Sequence, residues 1–336
     1  MLEDGSVQDV VLVTQLPSDS WFEGFALRPN GKILTSRLDE PELYTFNAED
    51  PEATPQLLHN FEEHANGLIN LCPLPGAHDE YLVLSAIVDL VNITFEEFIV
   101  WRVSLSPDDS SPPKVTKVTD IKDTGFCIGI VAVSDRVVLL PDSFRNCIWR
   151  LDIQTGQVSL LVADDTMKAA EGEGNFFGLN RVRVTDEFLW FTNTSAGMLC
   201  RIPIERVQDD PSVGIRTTGP VQIVTDDIPH CDGLTLSRDQ TAIYTCSYMD
   251  GYVWKVSVDP STGKGTTSIV MRNLASPTAV ELHYVDDKPK LFIVCCGEIE
   301  MGWFVQDSQN PWSEVANINS AVTVTVVTVE ETIEDA

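Results

Sequence analysis

Two carboxylates and two amides recur at one position of a repeating phrase: Glu23, Asn66, Asn180 and Asp232 each open a short apolar strand, as do Gly129 and Thr278. If six such strands face one axis, these positions form a ring at the mouth of a channel. Charges gathered at a constriction repel one another unless a cation, an arginine or water compensates. The ring then contacts a ligand or an ion, or its members bond one another and water and plug the channel. A second ring, at the ends of the following strands, holds Arg37, Ser85, Asp142, Asn193, Ser247 and Cys295. Arg37 in that ring either neutralises Glu23 or binds a substrate oxygen. Asp142 and Asn193 recur at the same place in successive repeats, which blade structure alone can demand.

Aromatic residues cluster around the polar positions. Trp21, Phe22 and Phe25 flank Glu23, Phe177 lies just before Asn180, Tyr248 follows Ser247, and Trp303 lies in a long loop near the end. Aromatics beside polar axial groups suit an apolar ligand, held by burial at about 25 cal/mol per Å². Trp149, Trp190 and Trp254 lie mid-strand and read as core. Asn30-Gly31 reads as a turn, and Asn66-Gly67 is also a good turn dipeptide. The five histidines show no metal-ligand spacing, and His230, two residues before Asp232, reads as a rim residue. The glycines at 172, 174 and 178 have the wrong spacing for a dinucleotide loop, and neither Gly-x-Ser-x-Gly nor His-Glu-x-x-His occurs.

The elements that must position these residues are short strands. Long helical periodicity is almost absent, and β-branched and aromatic runs alternate with Gly, Pro, Asn and Asp turns. Residues 23–37 (EGFALRPNGKILTSR) match residues 232–247 (DGLTLSRDQTAIYTCS), and weaker copies begin at 66, 129, 180 and 278. The intervals of 43, 63, 51, 52 and 46 residues average 51. A period of about fifty with four strands per unit is the signature of propeller blades. The expectation is an all-β, six-bladed β-propeller spanning 1–336, with four antiparallel strands per blade. The strand-like runs 10–14 and 321–329 are left over, and pairing in or beside the last blade would close the ring and hide its edges.

The chain has 336 residues, and 51 acidic against 22 basic residues give a formal charge of −29. A hydrophobic fraction of 43% is ample for a core. So acidic a surface repels phosphate backbones and anionic bilayers, so neither nucleic acid nor membrane is expected as a partner, and self-repulsion favours a monomer. No apolar run approaches the ~20 residues of a spanning helix. Eight cysteines, single apart from the vicinal 295–296 pair, read as reduced thiols. With no basic and apolar leader at the start, the expected location is cytoplasmic, unless a signal segment has been removed.

The phrases Phe22-Glu23-Gly24, Asn180-Arg181-Val182 and Cys231-Asp232-Gly233-Leu234 resemble those of the gluconolactonase/regucalcin family of six-bladed propellers, across essentially the whole chain. That resemblance implies a divalent metal, Ca²⁺ or Mg²⁺, at the axis on Glu23, Asn180 and Asp232. It further implies a lactone carbonyl polarised by the metal, with Asp232 activating water. One departure stands out. Arg181 occupies a place where the family usually has glycine, a cation beside the implied metal that could replace it.

Residues 16–32 (LPSDSWFEGFALRPNGK) and 189–194 (LWFTNT) are similar to a fungal branch of this family. That branch includes hetero-Diels–Alderases joining a tropolone quinone methide to a humulene-type sesquiterpene. The resemblance implies a pericyclase needing no cofactor and taking small hydrophobic polycyclic or terpenoid substrates. Glu23, Asn180, Asp232 and Arg37 are then the catalytic candidates. Trp21, Phe22, Asn66, Asp142, Phe177, Asn193, Ser247, Tyr248, Thr278 and Trp303 are the substrate-binding candidates. A metal-dependent lactonase is the competing reading, and a non-catalytic binding propeller ranks third.

Overall fold

A computed structural model describes residues 10–15, 20–47, 50, 54–90, 92–172, 175–285, 288–297 and 323–328. Strand β1 (Val10–Gln15) precedes the first complete blade, formed by β2 (Phe22–Leu27), β3 (Lys32–Arg37), β4 (Glu42–Asn47) and β5 (Gln56–Asn60). Blade two holds β6 (Gly67–Pro73), β7 (Glu80–Asp89), β8 (Thr94–Ser104) and β9 (Lys114–Asp120). Blade three holds β10 (Val131–Ala132), β11 (Val137–Asp142), β12 (Cys147–Asp152) and β13 (Gln157–Ala163). Blade four departs from four strands. After β14 (Leu179–Val184), β15 (Phe188–Asn193) and β16 (Met198–Arg206), its outer edge is shared by β17 (Ile215–Thr217) and β18 (Gln222–Thr225).

Blade five is β19 (Cys231–Leu236), β20 (Ala242–Ser247), β21 (Tyr252–Val258) and β22 (Gly265–Met271). Blade six joins β23 (Pro277–Val285), β24 (Lys288–Cys295) and β25 (Thr323–Thr328) to β1. Both ends of the chain therefore complete one sheet, as expected, and β1 covers the edge that β25 would otherwise expose.

Burial is deepest in the first two strands of most blades and falls off at the outer edge. The inner strands β2 and β19 are buried along nearly their whole length, and β11 and β20 are buried throughout. The outer strand β13 has no buried residue. Six apolar clusters fill six blade interfaces. Leu68, Leu71 and Val83 of blade two pack on Ala26, Leu34 and Leu43 of blade one. Phe22, Phe25 and Ile33 pack on Ala279, Phe292 and Val294, which closes the circle between blades one and six. The mid-strand Trp190 is buried in the cluster between blades four and five. All eight cysteines are buried, and none forms a disulfide.

One irregularity recurs where the inner strands reach the axis. The pairing of β2 with β3 slips between Phe22 and Phe25, that of β14 with β15 between Leu179 and Val182, and that of β19 with β20 between Cys231 and Leu234. The β6 and β23 pairings slip at Leu68/Asn70 and Pro277/Ala279. Each of these five inner strands thus carries one extra residue, a β-bulge, which frees a side chain from the sheet's alternation and re-aims it, whereas β10 pairs with β11 without a slip. The bulged residues are Glu23-Gly24, Ile69, Asn180-Arg181, Asp232-Gly233 and Thr278. At 23, 180, 232 and 278 the repeat seen in the sequence is a repeat of bulges.

Candidate functional site

The bulges deliver their side chains into a cavity of about 900 Å³, part of it open to solvent. Its lining is two-sided. Blades four, five, six and one contribute Asn180, Thr194, Asp232, Tyr248, Thr278, Glu23 and Trp21. Blades two and three, with the loop entering β14, contribute Ile69, Leu90, Ile93, Phe95, Phe126, Ile128, Phe176 and Phe177, and Leu38 joins them from blade one. At the ring position itself, blades two and three place Ile69 and Ile128 where the other four place polar groups.

Arg181 organises the polar side. Its guanidinium is buried in the channel and contacts the Glu23 carboxylate through Nη2 and Oε1. Its Nε lies 3.6 Å from Asp232 Oδ1, and its Nη1 donates to the Ile128 carbonyl at 2.8 Å. A further bond runs from Nη2 to the Glu23 carbonyl at 3.3 Å. One side chain from blade four therefore ties blades one, three and five across the axis. Two residues along β14, Arg183 pairs with Glu281 of blade six. Burial opposes the Arg181 charge, but Glu23 and Asp232 outweigh it and hold its pKa above the ordinary value.

The neighbouring groups are positioned in turn. Trp21 Nε1 donates to Glu23 Oε2 at 2.8 Å, so Glu23 is held at both oxygens. Asn180 Nδ2 donates to Thr194 Oγ1 at 2.9 Å, and that hydroxyl donates to the Cys231 carbonyl at 2.8 Å. Asn180 Oδ1 and Asp232 Oδ1 are buried and accept no hydrogen bond from the described residues. Burial raises the Asp232 pKa to about 8, with Glu23 adding to the rise and Arg181 and Asn180 opposing it. At neutral pH Asp232 is thus largely a neutral acid with a proton to donate. Burial, with Asp232 close by, also pushes the Tyr248 hydroxyl up.

Of the residues singled out in the sequence, the cavity gathers Glu23, Asn180, Asp232, Trp21, Phe177, Tyr248 and Thr278. Others lie elsewhere. Asn66 is exposed, ahead of β6, and brackets Val88 with its amide oxygen and nitrogen; the bulge three residues later brings Ile69 to the axis instead. Gly129 is buried beside Ile128 but has no side chain to offer. Arg37 turns away from Glu23 to pair with Asp39 and Glu42, its immediate neighbours along the chain. Phe22 is core, packed between blades one and six.

The second ring is scaffolding. Asp142 accepts from the backbone of Gly125, Phe144 and Arg145 and from Trp149 Nε1. Asn193 donates to the Thr166 and Lys168 carbonyls, which anchors the segment leading to Phe177. The Ser247 hydroxyl lies within hydrogen-bonding reach of the Pro229 carbonyl and of Asp250, and Asp250 also meets His230 Nδ1 at 2.9 Å. His230 is partly exposed, with its ring edge-on to Tyr248. Trp303 lies outside the described residues.

Apart from Phe177, sequence reasoning did not reach the apolar wall. The 63-residue interval between the second and third repeats carried the signal, because β7 and β8 are the longest strands and their connection supplies Leu90 and Ile93. Ile93 has φ of 53°, a left-handed conformation that a β-branched residue adopts only under constraint.

The implied metal does not fit this arrangement. Glu23, Asn180 and Asp232 converge, but the guanidinium of Arg181 bridges the two carboxylates between which an ion would sit. Among the described residues no group of three or more His, Cys, Asp or Glu side chains is arranged to hold a metal.

The fold and site define a propeller with an axial, one-sided apolar cavity, and solved structures share that fold. Regucalcin from Agrobacterium tumefaciens, described as a calcium-binding protein, superposes with a TM-score of 0.57 at 12% identity, covering 95% of each chain. The PQQ-bound aldose sugar dehydrogenase of Streptomyces coelicolor gives 0.58 at 11% identity over 97% of this chain and all of that one. A luciferin-regenerating enzyme gives 0.62 at 9% identity over 95% of both chains. By sequence, no family model and no curated protein matches the chain.

Proposed function

We propose that this chain is a pericyclase. It joins an oxygenated heterodiene, of the tropolone quinone-methide type, to an apolar alkene of the humulene type by hetero-Diels–Alder addition. The observation that carries this reading is the division of the cavity into a hydrocarbon wall and a polar side with a buried acid. The fungal-branch phrases at 16–32 and 189–194 supply the reaction class. The addition forms one C–C and one C–O bond and releases nothing, so it needs neither a nucleophile nor a leaving group.

Two contributions follow from the residues. Holding both reactants in register supplies about 7–11 kcal/mol of barrier lowering. The apolar alkene packs against Phe126, Phe177 and Ile69, and the heterodiene turns its oxygens to the polar side. There protonated Asp232 donates to the reacting carbonyl, and the unpaired Oδ1 of Asn180 accepts from an adjacent hydroxyl. Such preorganised hydrogen bonds contribute about 3 kcal/mol more as charge develops on the oxygen. The Asp232 proton can also assist departure of water from an alcohol precursor of the quinone methide. A metal-dependent lactonase would need an ion where Arg181 lies, and the guanidinium speaks against it.

The test is to supply a tropolone quinone-methide precursor with a humulene-type alkene and follow rate and product stereochemistry. One stereoisomer, formed faster than without enzyme and slowed at least tenfold by Asp232→Ala, is expected. Racemic product at the enzyme-free rate would overturn the reading.

A further inference from the structure

We propose that Arg181 is a built-in counter-cation that excludes divalent metals from the axis, and that removing its side chain turns Glu23, Asn180 and Asp232 into a calcium-type site. The bulges make the comparison internal to the molecule. The second bulge residue is Gly24 in blade one and Gly233 in blade five, where an added Cβ would lie 2.6 Å from the Asn70 side chain and 2.6 Å from the Ala279 backbone. Blade four alone of these three extends a side chain there, and that side chain fills the space where three oxygen-bearing residues converge.

The guanidinium satisfies what an ion would satisfy. It neutralises Glu23, stands 3.6 Å from Asp232, and is itself fixed by the Ile128 and Glu23 carbonyls. Because arginine does not deprotonate in proteins, this positive charge is permanent. The guanidinium leaves Asn180 Oδ1 unused, and Asp232 Oδ1, 3.6 Å from its Nε, is likewise buried and accepts no hydrogen bond from the described residues. Arg181→Gly would leave the Glu23 carboxylate uncompensated in a desolvated void beside the Asp232 carboxyl and the Asn180 amide oxygen, a set of oxygens that a hard cation can occupy with release of the Asp232 proton. Carboxylate and amide oxygens suit Ca²⁺ and its luminescent stand-in Tb³⁺.

Trp21 supplies the readout, because its indole bonds Glu23 at 2.8 Å and would sensitise Tb³⁺ held there. Full-length wild type, Arg181→Gly, Arg181→Lys and the double variant Arg181→Gly/Glu23→Gln are titrated with Tb³⁺ at high ionic strength, which screens the acidic surface. Arg181→Gly is expected to give saturable tryptophan-sensitised emission at one ion per chain, displaced by Ca²⁺, at least tenfold tighter than wild type and lost in the double variant. Ca²⁺ should raise the melting temperature of Arg181→Gly and leave wild type and Arg181→Lys unmoved. If Arg181→Gly folds poorly, recovery of its folded yield by Ca²⁺ supports the proposal, and a yield indifferent to Ca²⁺ contradicts it. Wild type binding one ion per chain in a manner abolished by Glu23→Gln, or a folded Arg181→Gly binding no better than wild type, would overturn it.

Discussion

Asp232 shows how the fold sets the chemistry of a single residue. Its carboxyl is ordinary in the unfolded chain, near 3.8, and about 8 in the folded one, chiefly through burial. The folded form binds the proton more tightly, so this group's contribution to stability is complete below about pH 4 and is lost as pH rises through about 8. Asp152 acts in the opposite sense, because Arg136 holds it near 2, but its stabilisation is lost only as pH falls below about 4. Buried Glu281 acts in the same sense as Asp232, and His59 and His283, held below the ordinary imidazole value by burial, act in the opposite one, so between pH 5 and 8.5 the Asp232 effect is read as a difference from a variant. Thermal unfolding should show wild type losing stability across that range and Asp232→Asn losing distinctly less. Parallel curves for the two proteins would mean that Asp232 is ionised in the folded chain. Much of this residue-level picture was legible beforehand, because polar residues opening repeats at 23, 180 and 232 stand out against apolar neighbours. Arg37 was misplaced for a local reason. Asp39 and Glu42 lie within five residues and capture its guanidinium, which no pattern of repeats reveals.

At the scale of the element, the device that builds the site is a bulge on each of five inner strands. It lets a strand that packs on both faces still present one residue to the axis. The period of the repeat was readable as intervals near fifty, but the bulge was not, since one extra residue in a short strand leaves no compositional mark. Counting from the strand start therefore led to Asn66, when the bulge had moved the axial position to Ile69. The same geometry demands glycine in blade five. An added Cβ at Gly233 would lie 2.6 Å from Ala279 Cα, 2.7 Å from the Thr278 carbonyl oxygen and 2.9 Å from the Val280 nitrogen, all backbone atoms. Gly233→Ala is expected to force β19 and β23 apart and to destabilise the fold by about 1–3 kcal/mol, read by urea unfolding. An unchanged midpoint would show that the two strands approach less closely than described. The lining from the β7–β8 connection was missed for a different reason. Its length was visible in the 63-residue interval, but the direction in which a hairpin folds is set by packing, not by its own sequence.

For the molecule as a whole, the ring is the unit of stability, because each blade buries its faces only against its two neighbours. Closure depends on β1 joining β25 in the sixth blade. Deleting residues 10–15 should leave β25 with one free edge, lower the melting temperature by several degrees and promote association through that edge, seen by size-exclusion chromatography. A truncated chain that stays monodisperse with an unchanged melting temperature would deny β1 a closing role. Ring closure was legible from the strand-like runs left over at the two ends. The extra strand of blade four was not, since β17 and β18 are only three and four residues long.

Where the substrate sits decides which residues act on it, and a crystal structure of the protein with a tropolone–terpenoid cycloadduct measures that directly. The predicted result is an adduct in the axial cavity, its hydrocarbon ring against Phe126 and Phe177 and an oxygen within hydrogen-bonding distance of Asp232 or Asn180, with the Arg181–Glu23 pair intact. An adduct bound elsewhere, or a metal ion between Glu23 and Asp232 with Arg181 displaced, would contradict it.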